Sequence, residues 1–283
     1  MSKAFVNGLL IAAFVISGAA QGAEQAATAT LAVGTVQDVA PDGSSRTLRD
    51  GDLVYSGDVI TTGDQSYADL DFTDGGTITL RPDTQFGIEN YHFDEQAHLT
   101  DVEPDDTSQP QPTASSYAPP MPQENAFFRL LKGGLRAVSG LIGHVQRDDY
   151  RMDTPTATIG IRGTEYDARY CDSNCPTDQG TNGSSSTGLY TGVDKGSIAV
   201  SNQSGSTVTR AGQYLYVAHR QARFVLLRER PRALLHMRLP QRYRALVRER
   251  HMKLIRERRA RRRKLLRQYI RRHRKARHRR RRR

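Results

Sequence analysis

In Tyr67-Ala68-Asp69-Leu70-Asp71-Phe72, apolar residues recur at every second position and acids fill the gaps. Side chains of an extended chain alternate between two faces, so Ala68, Leu70 and Phe72 share one face and Asp69 and Asp71 the other, as a half-buried strand requires. Asp74-Gly75-Gly76 then turns the chain, and Thr77-Ile78-Thr79-Leu80 resumes the alternation, so residues 67–81 read as a hairpin. The same period predicts strands over 32–39, 53–55, 58–62, 156–161, 197–201 and 213–217, set off by Gly51, Gly57, Gly63, Gly196, Gly205 and Gly212. No long helical period precedes residue 220. The chain is therefore expected to be all-β up to that point.

Two stretches interrupt the pattern. Residues 100–125 are rich in Pro, Ser, Gln and Asp and nearly free of large aliphatic side chains. Such a segment cannot bury enough apolar surface to offset its ordering entropy, so it reads as a flexible insertion in one domain. Residues 172–187 form a long polar loop, whose Asp172 and Asp178 lack the alternating carboxylates and closing Glu of a calcium loop.

Charge divides the chain. Residues 220–283 hold 29 Lys+Arg against Glu229, Glu249 and Glu257, leaving 13 of the 42 basic and 27 of the 30 acidic residues for positions 1–219. A body of net −14 is thus joined to a tail of net +26. A block of like charge this long works as a solvated arm for an anionic partner, and its rival partner is the acidic body itself. Between and after Pro231 and Pro240, Leu234, Leu235, Leu246, Val247, Leu254 and Ile255 recur at helical spacings among the arginines. Repulsion between arginines three and four positions apart opposes this basic amphipathic pattern, so it is expected to order where anions neutralise it. The densest clusters, Arg261-Arg262-Arg263-Lys264 and Arg279-Arg280-Arg281-Arg282-Arg283, are the candidate contacts to anionic surfaces.

At the other end, Lys3, an apolar stretch over 8–16 and small residues over 17–23 read as a secretory signal peptide, residues 1–23. The apolar stretch is shorter than the about 20 residues of a membrane span, and no later segment reaches that length, so no transmembrane span is expected in the mature chain. Export would place the protein in the periplasm or cell envelope. An oxidising compartment would let Cys171 and Cys175 close a small disulfide loop, adding at most about 2 kcal/mol. A redox pair or half a zinc site are the alternatives; the spacing is one residue too long for the first, and no second pair of ligands is near for the second.

The motifs of the body are Val33-Gly34-Thr35-Val36, Leu48-Arg49-Asp50-Gly51-Asp52 with Ser56-Gly57-Asp58-Val59, and Ser66 to Gly75 followed by Ile78-Thr79-Leu80-Arg81-Pro82. Leu131-Lys132-Gly133-Gly134-Leu135-Arg136 and Thr154-Pro155-Thr156-Ala157-Thr158-Ile159-Gly160-Ile161-Arg162-Gly163-Thr164 complete the series. In this order they resemble the FecR family of periplasmic domains over about residues 30–167, with a strand extension to 217. The resemblance implies a sandwich-like or jelly-roll-like all-β domain over 30–217 that acts by binding and signalling. It makes Asp58, Asp74, Gly75, Thr154, Pro155, Arg162, Gly163 and Thr164 motif residues with structural roles. Classical members carry a membrane helix and a short cytoplasmic segment that controls a sigma factor; this chain has the signal-like segment instead, so only the periplasmic half of the role is implied. Gly163 suits a sharp turn or a positive φ, and Arg162, if it points inward, needs a carboxylate such as Asp74 or Asp58.

No enzyme motif of the Gly-x-Ser-x-Gly, His-Glu-x-x-His or P-loop kind occurs, and His92, His98, His144 and His219 lie far apart. Asp50, Asp52 and Asp58, beside Gly51 and Gly57, suit turns better than an acid–base pair. The reading is a non-enzymatic envelope protein without cofactor or metal. Its β domain would meet a protein or glycan partner, and its tail an anionic membrane or lipopolysaccharide surface. The alternative is binding of nucleic acid or another polyanion by the Arg-rich tail through counterion release. Export and a tail with only Phe224, Tyr243 and Tyr269 for stacking disfavour nucleic acid.

Overall fold

A computed structural model of the chain describes residues 23–94, 124–145, 149–161, 163–172 and 187–235, with four single positions beyond. Those four, Ala245, Glu249, Met252 and Arg256, are helical and exposed. The signal-like segment up to residue 22, the insertion, most of the polar loop and the basic clusters of the tail lie outside the described residues.

The fold is all-β: among the described residues, 17 strands form one hydrogen-bonded network, arranged as two sheets. Sheet A runs β4 (Leu53–Tyr55), β1 (Gln25–Val33), β6 (Tyr67–Phe72), β7 (Thr77–Leu80), β9 (Asn125–Val138), β12 (Glu165–Cys171), β13 (Gly188–Lys195), β16 (Tyr214–Val217), β17 (Val225–Leu227). Sheet B runs β3 (Ser45–Thr47), β2 (Val36–Val39), β5 (Val59–Thr62), β8 (Gln85–His92), β9 again, β10 (Tyr150–Asp153), β11 (Thr158–Ile161), β14 (Ser197–Asn202), β15 (Gly205–Arg210). Strand β9 is the centre of both. Four strands from the chain before it and four from the chain after it flank it in each sheet.

The sequence of β9 shows how one strand serves two sheets. Ala126, Phe128 and Leu130 face the core at even positions, whereas Leu135 and Ala137 face it at odd ones. Residues 125–132 pair with β8, and residues 133–138 pair with β12. The phase slips at Gly133, whose φ is +80° and whose Cβ, were there one, would lie 2.4 Å from the Asp83 carbonyl oxygen and 2.5 Å from Thr84 Cα. Only glycine fits a left-handed residue pressed against backbone. Thr84, 1 % exposed, fixes the crossing by accepting a hydrogen bond from Gly134 N at 2.9 Å and donating to Gly134 O at 3.0 Å.

The inner faces of the two sheets pack on each other. Phe72 of sheet A meets Phe128 of sheet B edge-on, ring centroids 5.1 Å apart, and Phe86, Tyr91 and Tyr150 surround the same ring at 5.5, 6.3 and 5.5 Å. Tilted and edge-on pairs of this kind add to area burial. The buried hydroxyls of Tyr150 and Tyr166 bond across the sheets at 3.1 Å.

The β6–β7 hairpin has the expected faces: Ala68, Leu70 and Phe72 are buried, Asp69 and Asp71 face outward, and Gly75 turns at φ +85°. The expected strand over 32–39 is instead two strands in different sheets, divided at Gly34 (φ +77°). The Ala/Thr-rich lead-in is β1, with Ala27, Ala29 and Leu31 in the core. The strand architecture also runs past 217: β17 pairs with β16, and a one-turn helix, Arg232–Leu235, follows. Asn125, at the edge of the expected insertion, opens β9.

Candidate functional site: a groove and a charged outer face

The motif carboxylates cap backbone. Asp58 Oδ2 accepts from Tyr55 N at 2.8 Å and Asp52 Oδ2 from Arg49 N at 2.8 Å, the turn roles expected of them, whereas Asp50 Oδ1 reaches back to Ala32 N of β1 at 2.7 Å. Asp74 accepts from Gly76 N at 2.9 Å and from Ile142 N at 3.3 Å, so it ties the hairpin turn to the one-turn helix Ile142–Val145. A side chain at Gly140 would collide with this carboxyl group at 2.3 Å. Burial pushes Asp74 above the usual carboxylate range, against the pull of those amides. Arg162 lies outside the described residues; the Asp58 carboxyl meets the Tyr55 amide and the Asp38 carboxyl, and the Asp74 carboxyl meets the Gly76 and Ile142 amides and the Tyr91 hydroxyl. Gly163 turns at φ +62°, and Thr164 Oγ1 donates to Ser197 O at 2.6 Å.

Asp58 has a second neighbour. Asp38, 2 % exposed, takes both Arg46 bonds, at 2.9 and 2.6 Å, on Oδ2, while its buried Oδ1 has no hydrogen-bond donor. Burial first, and the charge of Asp38 in addition, push the Asp58 carboxyl up to about 6, although the Tyr55 amide pulls it down. An Asp58 proton is what the orphan oxygen lacks. Between the ordinary carboxylate value of about 4 and pH 6 the folded chain then holds a proton that the unfolded chain has lost. This group's contribution to stability therefore falls as pH rises through that window and is flat above it. Asp58→Asn is expected to remove that part of the slope; unfolding midpoints of both chains from pH 4 to 7 measure it, and parallel profiles would exclude the shared proton.

Thr154 and Pro155 help to build an open groove. The β10–β11 turn is closed by Thr154, whose N and Oγ1 donate to Ala157 O at 2.9 and 2.7 Å and whose Oγ1 accepts from Ala157 N at 3.1 Å. Beside this turn lies a groove of about 710 Å³ across the end of sheet B, walled by Arg129, Asp153, Thr158, Ser201, Asn202 and Arg220. Its charges are already engaged: Arg129 with Glu89, Asp153 with Arg151 at 2.9 Å and with Thr158 Oγ1 at 2.6 Å, and Arg220 Nε with Pro155 O at 2.9 Å. Ser201, Asn202, Gln203, Arg129 and Arg220 are site residues that the strand pattern did not point to. They come from separate strands and loops, and only pairing brings them together.

The outer face of sheet A carries a second group. Arg136 binds Glu165 at 2.6 Å, Asp194 at 2.6 Å and Asp167 at 3.2 Å. Burial works against the Arg136 charge, but these three carboxylates hold the guanidinium above its ordinary range. Glu165, which burial alone would raise, is held below its usual value by Arg136 and Lys195. Arg230 also bonds Asp167 and approaches Asp194 at 3.6 Å. Beside this cluster Cys171, 1 % exposed, packs with Tyr190, Ala233 and Leu234. Cys175 lies outside the described residues. The apolar stripe of the tail thus begins on a partner: Leu234 is 0 % exposed against sheet A.

No family model matches the chain. No curated protein matches it. Among solved structures, two crystal structures of a candidate anti-sigma factor from Parabacteroides distasonis ATCC 8503 are similar to it, with TM-scores of 0.38 and 0.37 and sequence identities of 10 % and 11 %. Each match covers 60 % of this chain and 59 % of that one. Likeness at this level fixes neither family nor function.

Proposed function

We propose that this chain is an exported, non-enzymatic binding protein of the cell envelope with the periplasmic, FecR-like role that its motifs imply. In this reading the groove on sheet B receives a protein or glycan partner. The tail beyond Leu235 holds the molecule to anionic surfaces such as lipopolysaccharide or phospholipid headgroups. The observation that carries it is the groove. Its volume, about 710 Å³, is in the range of about 300–1,000 Å³ usual for ligand sites. Hydroxyls and amides stand there beside Arg129 and Asp153, which other side chains neutralise, and Arg220, which a backbone carbonyl holds; this suits holding a polar partner better than activating a nucleophile.

Retention on isolated envelopes tests both halves. Ser201→Trp fills the groove and is expected to lower retention with an unchanged unfolding midpoint. Exchanging Arg261, Arg262, Arg263, Lys264 and Arg279 to Arg283 for Gln is expected to abolish cosedimentation with anionic vesicles at low salt. Each such charge is worth about 1 kcal/mol at best near an anionic membrane and is screened by salt. Unchanged retention of the Trp variant would rule out the groove, and unchanged cosedimentation of the Gln variant would rule out the tail contact. The second reading, a tail that binds nucleic acid or other polyanions, rests on the net +26 alone; it predicts tight binding to RNA that survives competition by anionic vesicles.

A further inference from the structure

The first residues of the basic segment are seated on sheet A, in a socket with two independent parts. One is apolar. On β13 both faces are buried: Leu189 and Val193 face the core, whereas Tyr190 and Gly192 face outward and are still covered. The cover is Leu234. Its Cδ1 would lie 3.0 Å from a Cβ at Gly192, and the Tyr214 ring 2.9 Å, so the missing side chain at 192 makes a notch that Leu234 fills beside Tyr214. Tyr190 and Tyr216, ring centroids 4.7 Å apart, stand along the same face, and Tyr214 and Leu227 pack against Ala233 and Leu234.

The other part is charged. Asp167 and Gly192 are register partners, so the buried carboxylate of Asp167, 2 % exposed, sits next to the notch. Arg230, four residues before Leu234, reaches Asp167 and Asp194, and Arg169 Nη1, two residues along β12 from Asp167, donates to Ala233 O at 3.1 Å. Pro231 O accepts from Leu234 N at 2.9 Å and Leu235 N at 3.2 Å, which shapes the turn that presents leucine and arginine to the same surface.

We infer that the outer face of sheet A is an interaction surface for arginine-and-leucine segments, filled by the chain's own residues 228–235, and that polyanions compete with it for the root of the basic tail. Arg230 cannot hold Asp167 and a polyanion with the same donors, so docking and polyanion binding at this root oppose each other. Linkage then makes the effect reciprocal: polyanion binding loosens the docking by the same factor by which docking weakens polyanion binding. The inference goes beyond the envelope reading, because it concerns where the tail is fixed and what frees it.

Leu234→Ser separates docking from charge, since it empties the notch and leaves every ionic group in place. Amide exchange over residues 228–235 of the full chain is measured at low salt, with and without inorganic polyphosphate, and exchange of β9 monitors the fold. Polyphosphate is expected to speed exchange over 228–235 in the parent chain. The Leu234→Ser chain is expected to exchange as fast without it and to bind polyphosphate at least about fivefold tighter, the lower end of ordinary coupling. Arg230→Gln, which removes the ion pairs alone, is expected to speed the same exchange. The proposal is overturned if exchange over 228–235 is unchanged in both variants, or if polyphosphate binds the parent and variant Leu234→Ser equally well. Failure of polyphosphate to bind either chain would remove the competition and the tail reading together. Faster exchange in the variants would still mark the docking.

Discussion

Gly133→Ala is expected to lower the unfolding midpoint by about 10 °C. The new methyl group would sit 2.4 Å from Asp83 O and 2.5 Å from Thr84 Cα, both backbone atoms that no rotamer change can move. A left-handed conformation costs a residue with a side chain about 1–2 kcal/mol, and forcing extra volume into a packed site about 1–3 kcal/mol. Together they give about 2–5 kcal/mol, and each kcal/mol lowers the midpoint of a unit this size by about 2–4 °C. Gly75→Ala is the control, because that glycine also has a positive φ but meets nothing within 4 Å; it is expected to cost about 1 kcal/mol. Thermal unfolding of the three chains decides the matter. If the two variants unfold at the same temperature, the crowding at residue 133 is absent and β9 does not cross between the sheets as described.

Phe128→Ala is expected to cost about 3–5 kcal/mol, the range for deleting a fully buried aromatic ring. Four aromatic side chains from both sheets converge on this ring, and it is 2 % exposed. Truncation leaves a cavity between two sheets whose hydrogen bonds hold their backbones in place, so collapse cannot fill it. The adjacent ring is the comparison: Phe127 faces outward under the Arg151 guanidinium, 4.6 Å from the ring centroid. Phe127→Ala loses that contact and part-buried area, about 1 kcal/mol. Chemical denaturation of both variants should separate their midpoints clearly, and similar losses would mean that the alternation of β9 is misassigned.

Alternation was readable wherever one face meets the core and the other meets water, as in β6, where acids mark the outer positions. It was unreadable where both faces are covered. Gly188–Lys195 shows no alternation because the Arg232–Leu235 turn covers its outer side. It was also unreadable where small residues do the packing: Ala27 and Ala29 are fully buried in β1, yet alanine has little strand preference of its own. In β9 the period is present but changes phase at Gly133, so a search for one continuous alternation sees two short fragments. The turn roles of Asp52 and Asp58 were legible from the neighbouring glycines, whereas the reach of Asp50 to Ala32 was not. The Asp38 partner of Asp58 was not, since twenty residues and two strands separate them in the chain.

By itself the sequence determined that the chain before residue 220 makes strands, where its main turns fall, and that its charges are divided between an acidic body and a basic tail. These are local properties, set by the two-residue period of extended chain, by glycine's access to positive φ and by counting ionised groups. Only the tertiary structure decided that one strand joins both sheets, that the groove gathers Arg129, Ser201 and Arg220, and that Leu234 and Arg230 belong to the sandwich. Those outcomes depend on which distant strands pair and on what covers a sheet's outer face. Such contacts are set by the complementary shape and charge of surfaces that exist only once the chain has folded.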